Sequence, residues 1–245
     1  MRESWGECRQ EEYDLNGNFG RKFAFCGLKC PQDSRRKPLM QDLPSFTGGI
    51  AQTNTWLFES PQGNLLIDAP EGAANWLRAR SVKIDTLLLT HQHFDHVQDA
   101  ARVKSEHGCR VLAWSAFNRE LTLERLMGAV GDRELVPEFQ IDEVLAERSQ
   151  VEAGGLVWNL LHIPGHSTDS LCFHQPESGI VFGGDVLFYN GVGRTDLPGG
   201  SFKQLLSGIR DKLLVLPDAT HIYPGHGPAT TLDRERHHNP FLTDL

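Results

Sequence analysis

No stretch of this chain approaches eighteen uninterrupted apolar residues, so no membrane-spanning helix is expected. The N-terminus, Met1-Arg2-Glu3-Ser4-Trp5-Gly6-Glu7, has no apolar segment of the kind a secretory signal needs. Acidic residues at Glu3, Glu7, Glu11, Glu12 and Asp14 argue against a transit peptide. Cysteine is scarce. Five thiols (Cys8, Cys26, Cys30, Cys109, Cys172), an odd number without framework spacing, exclude a disulfide-stapled secreted domain. A cytoplasmic protein with reduced thiols is expected. Positive charge is also in short supply, with 24 Lys and Arg against 32 Asp and Glu and a net charge of −8. Beyond residue 46 the imbalance is 16 against 25, which disfavours a broad nucleic-acid surface. Low-complexity tracts and internal repeats are absent. What remains is ordinary globular composition, 39% hydrophobic and 23% charged over 245 residues, enough to bury a core. No nucleic-acid or membrane partner is expected, and the sequence sets no oligomeric state.

Residues 1–46 read as an arm unlike the rest, with one brief apolar patch, Phe23-Ala24-Phe25. Cys26 and Cys30 at C-x3-C spacing, with Cys8 distant, make a weak metal signature, and a structural role is favoured. Residues 47–245 read as one domain. Strands are expected over Thr53–Glu59 and Asn64–Ala69, joined by a Ser60-Pro61-Gln62-Gly63 turn. A helix follows over Glu71–Arg80, then strand Ile84–Thr90 and a helix over Val97–His107 stopped by Gly108. Arg110–Trp114 reads as a strand, and Ser115 as the N-cap of a helix reaching Leu126. Residues 130–150 give no clear pattern. Val151–Ile163, broken at Gly154-Gly155, then Leu171–His174, Gly179–Phe182 and His221–Tyr223 read as strands, and Phe202–Leu216 has helical periodicity.

The chemistry concentrates at strand ends. Leu87-Leu88-Leu89 is the short apolar run of an interior strand, and His91, His93, Asp95 and His96 follow within six residues of one another. Three further junctions end in His166, Asp185 and His226, each with Gly immediately before the ligand. Imidazole nitrogen with carboxylate oxygen suits zinc, iron or manganese. Seven ligands are too many for one ion but suit two ions that share a carboxylate. The expected assignment is His91, His93 and His166 at one ion, Asp95, His96 and His226 at the other, with Asp185 bridging. Two divalent ions, zinc first among the candidates, can hold a hydroxide between them near neutral pH and polarise a carbonyl or phosphoryl oxygen. Asp95 and Asp185 are then the catalytic carboxylates, Asp95 orienting the hydroxide. The other histidines carry weaker expectations. His162 is a poor candidate for the site, better suited to supporting a ligand than to being one, His107 is placed to sit as an imidazolium at a helix C-terminus, and His237 and His238 to lie solvated in a polar tail. His174 and His221 stay unassigned.

The set Thr90-His91-Gln92-His93-Phe94-Asp95-His96, Pro164-Gly165-His166-Ser167, Gly183-Gly184-Asp185 and Pro224-Gly225-His226-Gly227 resembles the metallo-β-lactamase superfamily. The resemblance implies an α/β fold, a four-layer αββα sandwich of two mixed sheets with metals at one sheet edge. It also implies a non-ligand role for Asp68, buttressing the ligand loop. Gly183–Phe188 and Gly191–Gly200, with the ending Asn239-Pro240-Phe241-Leu242, resemble the single-domain, glyoxalase II-related branch. That branch implies hydrolysis of a hydroxyacylglutathione-type thioester, a small-molecule substrate, with Arg194 and Tyr223 as candidate substrate contacts. It also contains persulfide dioxygenases, which use one iron, so iron oxygenation is the alternative, beside other ester and phosphoester hydrolysis of the superfamily. A metal-free binding protein is disfavoured by the complete ligand set, and an antibiotic-degrading role by the missing export signal. Where the family usually has a Gly after its third motif, this chain has Ser167-Thr168-Asp169-Ser170. The extra carboxylate is expected to repel an anionic substrate. No C-terminal glutathione-gripping domain is expected either, since the chain ends 19 residues after His226.

Overall fold

The computed structural model describes residues 43–60, 62–127 and 136–242. Most of the proposed arm, with Cys8, Cys26 and Cys30, lies outside the described residues. Two six-stranded sheets form the frame. The first runs in the order β1 (Ser45–Gly48), β2 (Thr53–Phe58), β3 (Leu65–Ile67), β4 (Thr86–Leu88), β5 (Arg110–Ala113) and β6 (Glu143–Val144). Its first two pairings are antiparallel and the other three parallel. The second runs β14 (Thr230–Thr231), β13 (His221–Pro224), β10 (Ile180–Gly184), β9 (Leu171–Gln175), β8 (Leu156–His162) and β7 (Gln150–Ala153). In it only β10 and β13 pair in parallel. Both sheets are mixed, as the family resemblance implies. A small hairpin of β11 (Leu187–Phe188) and β12 (Gly191–Val192) stands apart.

The continuous apolar runs follow from strands covered on both faces, where alternate side chains enter different cores. In β4, Leu88 packs between the sheets while Leu87 and the following Leu89 face the outer helices. β2, β3 and β5 alternate in the same way. In the second sheet, Phe173 and Phe182 point to the inter-sheet core, and Cys172 and Val181 to the other outer layer. Helices α1 (Ala73–Arg80) and α3 (Ala100–His107) cover the first sheet. On the second sheet lie α5 (Phe202–Gly208), continued by a π-turn over Ile209–Leu213, and α6 (Leu232–His238). The result is four layers, αββα.

Several boundaries differ from the sequence reading. The helix expected from Val97 splits into one turn, α2 (Phe94–Val97), and α3, because Asp99 is used elsewhere. Its Oδ2 accepts from the N–H groups of Gly72 and Ala74, capping α1 at the left-handed Gly72. Ser115 is not an N-cap. Asn118 caps a single turn, α4 (Arg119–Thr122), and a left-handed Leu123 ends it. The polar tail is in fact α6, capped by Thr231 and anchored by a fully buried carboxylate, Glu235. Glu235 accepts from Thr230, Arg234, Asn190 N–H and Asn239, tying the helix to the turn between β11 and β12. Charge hid this helix from a reading based on apolar periodicity. Among the described residues, no helix is long and apolar enough to cross a membrane.

Phe182 sits at the centre of the inter-sheet core, with ring neighbours Phe58 at 6.4 Å, Trp158 at 5.7 Å and Tyr223 at 5.6 Å. Phe182→Ala is expected to cost about 3–5 kcal/mol, read as a lower urea midpoint at unchanged slope.

Candidate metal centre

The site forms where strands of both sheets end. Leu171 N–H donates to Thr90 O, and Asn54 N–H and the Trp56 indole donate to Gly225 O and Pro224 O, locking the two sheets together at this edge. Asp68, just past β3 and in the left-handed region at φ +59°, turns its carboxylate under the loop that follows β4. One oxygen accepts from Thr90 N–H at 2.8 Å, and the other from Thr90 Oγ1 at 2.7 Å and His96 Nδ1 at 2.8 Å. Asp68 therefore braces the loop.

The structure brings the seven candidate ligands together. His91, His93 and His166 form one group, Asp95, His96 and His226 another, and Asp185 groups with His91 and His96; within each group the ligand atoms lie within 4.8 Å of one another. Asp185 stands between the groups. Its Oδ2 is 3.4 Å from His166 Nε2 and 3.3 Å from His226 Nε2. Its Oδ1 is 3.3 Å from His96 Nε2, at ion-pair distance but without hydrogen-bond geometry. Asp95 Oδ2 lies 3.4 Å from His226 Nε2 and 3.6 Å from His96 Nε2.

Four rings are oriented through their other nitrogen, as ligating imidazoles generally are. His96 Nδ1 donates to Asp68, His166 Nδ1 to Arg194 O at 2.8 Å, and His226 Nδ1 to Gln52 O at 3.3 Å. His91 Nδ1 faces Thr90 Oγ1 at 3.2 Å. The Nε2 atoms are thereby turned inward toward one another and the two carboxylates, and His166 Nε2 faces His93 Nδ1 at only 2.8 Å. His91 Nε2, His96 Nε2 and Asp185 Oδ1 are buried with no hydrogen-bond partner. Orphaned polar atoms of this kind, converging from several strands, fit a divalent cation. The fit is close-packed: a Cβ on Gly225 would stand 2.2 Å from Asp185 Oδ1 and 2.5 Å from His96 Cε1.

Electrostatics point the same way. Burial, followed by repulsion from His96 and His93, lowers His91, while burial and His166 lower His93 to about 3. Burial also opposes charge on Asp95, yet His96 and the His226 hydrogen bond bring it down to about 2. Asp185 is likewise held well below its usual range, the cost of burial being outweighed by His96 and His226. His226 is raised to about 10, burial being overcome by Asp185 and Asp95, and His96 is raised as well. Without metal, protons on His96 and His226 balance the two carboxylates. A cation would displace them.

Other residues named from the sequence lie differently. Tyr223, a candidate substrate contact by resemblance, lies with its ring in the inter-sheet core: it is 2% exposed, 5.0 Å from the ring of Trp56. The Arg194 guanidinium is exposed and pairs with Asp196 at 2.7–2.8 Å, while its carbonyl orients His166. Asp169 does not face solvent to repel an anion. It is 2% exposed and accepts from Gln92 N–H and Ser167 Oγ. His162 stacks on Trp114 at 3.8 Å and bonds Thr168 O, away from the ligands. His107 accepts from Ile84 N–H through Nδ1, and burial lowers its pKa, so it is a neutral acceptor rather than an imidazolium. His237 and His238 are the last turn of α6. Among the residues missed, Thr53 donates to Asp95 Oδ2 at 2.6 Å across 42 positions, a contact no local pattern announces.

A mixed two-sheet αββα sandwich with five imidazoles and two carboxylates gathered at one edge defines a metal-binding α/β protein. The chain belongs to the metallo-β-lactamase superfamily, whose family model matches residues 48–226, and this places it among the metal-dependent hydrolases. Within that superfamily it falls in the glyoxalase II-related branch. It is 36% identical over 201 residues to the hydroxyacylglutathione hydrolase GloC of Haemophilus influenzae, covering 78% of this chain and 93% of that one. Among solved structures it is similar to TTHA1623 in a di-iron-bound form, with TM-score 0.68 and 34% identity over 82% of this chain and 100% of that one. It is also similar to the BLEG-1 B3 metallo-β-lactamase, with TM-score 0.72 and 29% identity over 82% and 99%.

Zinc uptake by metal-stripped protein at pH 7 is expected to release about two protons, those of His96 and His226, and to tighten as pH rises. Titration calorimetry in buffers of different ionisation enthalpy checks this. Heats independent of the buffer would contradict the charge balance.

Proposed function

We propose that the protein is a two-metal thioesterase acting on a hydroxyacylglutathione-type substrate. One observation carries the reading: both three-ligand groups and the shared Asp185 are assembled in a chain 36% identical to a hydroxyacylglutathione hydrolase. His91, His93 and His166 would hold one ion, Asp95, His96 and His226 the second, and Asp185 would touch both. Two such ions, zinc in this proposal, supply a hydroxide at neutral pH and positive charge for the carbonyl oxygen. The chain's own part is to place these groups and the substrate. Asp95, held by Thr53, offers its carboxylate to the attacking oxygen from a fixed direction. Phe188, its ring 6.0 Å from that of His226, forms an apolar wall beside the reacting carbon. Arg194 lies on the loop that passes His166 and can meet a substrate carboxylate by exchanging Asp196 for it. Attack at the thioester carbon breaks the C–S bond and releases a free thiol and a hydroxy acid. The compartment proposed is the cytoplasm.

The test is hydrolysis of S-D-lactoylglutathione by zinc-loaded protein, followed as thiol release. Native protein is expected to turn over, and Asp185→Ala to lose at least about 100-fold in kcat through its metal. No turnover by the native, loaded protein would end the glyoxalase assignment. Oxygen uptake with glutathione persulfide and a single iron would replace it with persulfide oxidation.

A further inference from the structure

Gln92 stands between two ligands, His91 and His93, and is fully buried. Its backbone N–H donates to Asp169 Oδ2 at 3.1 Å. Asp169 lies three residues beyond a third ligand, His166, and its other oxygen accepts from Ser167 Oγ at 2.5 Å. One carboxylate thus clamps the backbone of the loop after β4 to the loop after β8. Each side of the clamp is itself braced. The Gln92 amide nitrogen donates to Ser115 Oγ at 3.0 Å and Ala116 O at 3.2 Å, and its oxygen accepts from Asn118 N–H at 2.9 Å. On the other side, Ser167 N–H donates to Ser170 Oγ at 3.1 Å, and Ser201 N–H donates to Gly165 O at 2.8 Å.

A buried carboxylate is costly without partners, and burial raises that of Asp169 to about 6. Both its partners lie on ligand-bearing loops, and the ligands flanking them belong to one group: His91 and His93 on one loop, His166 on the other, while Asp95 and His96 follow on the helical turn α2. The other group is braced differently, with Thr53 on Asp95, Asp68 on His96 and Gln52 O on His226. None of those three contacts involves Asp169.

We propose that Asp169 is a positioning residue that sets the distance between the His91–His93 loop and His166, and through it the affinity of one metal position but not the other. The proposal rests on the reading that the seven ligands bind two ions, and zinc titration separates the two ideas. Full-length native protein, stripped and titrated against a chromophoric chelator, is expected to take up two equivalents. Asp169→Ala is expected to weaken one equivalent about 10–100-fold and leave the other near its native affinity. In Asp169→Asn the side-chain oxygen can accept from Gln92 N–H and the amide can donate to Ser167 Oγ, so both equivalents are expected to return. Two native-affinity equivalents in Asp169→Ala, equal weakening of both, or no rescue by Asp169→Asn would each overturn the proposal. If circular dichroism shows that Asp169→Ala does not fold, Ser167→Ala carries the same test, with a smaller but still one-sided loss. Native protein that takes up no zinc overturns the metal reading, and this proposal with it.

Discussion

Two carboxylates and four imidazoles are buried together at the edge of an apolar sandwich, with a fifth imidazole, His226, partly exposed beside them, and the surrounding structure answers to that constraint. Burial of unpaired charge is costly, so each group needs a partner or a cation. The rings are turned so that the outer nitrogen of four of them meets a fixed acceptor or hydroxyl, leaving the inner one bare. Asp68 does most for the first loop, since Thr90 N–H, Thr90 Oγ1 and His96 Nδ1 all converge on it. The inward-turned atoms His91 Nε2, His96 Nε2 and Asp185 Oδ1 are buried without a hydrogen-bond partner, and that is what suits the cluster to a metal ion.

The layers explain why such a cluster can exist. Parallel pairing of β3, β4 and β5, and of β10 with β13, sends several chain segments out at one edge. Hydrogen bonds from Leu171, Asn54 and Trp56 then tie the two sheets there. The site is shared property. One sheet supplies His91 through His96, the other supplies His166, Asp185 and His226, and neither half is a metal site alone. Rigidity at this seam matters more than in any one loop, since a shift between sheets would separate the ligands.

Much of this was legible beforehand. The Leu87–Leu89 run announced an interior strand because both its faces are apolar, and its three side chains do enter two different cores. Glycines before His166, Asp185 and His226 marked sharp turns at strand ends. Helix boundaries were less legible. Asp99 left its own helix to cap another, and α6 is held by hydrogen bonds to Glu235 rather than by an apolar stripe. Side-chain direction was least legible. Tyr223 and Asp169 both lie close in sequence to ligands, yet one points into the inter-sheet core and the other under the ligand loops.

By itself the sequence determined the ligand types, their order and the sheet-rich frame, because periodicity and donor chemistry are local properties of the chain. Only the tertiary structure decided which ligands meet, which histidines are bystanders, and that Thr53, Gln92 and Asp169 brace the centre. Those choices depend on contacts across 42 and 77 positions, set by how the two sheets stack and by the direction each side chain takes on leaving its strand.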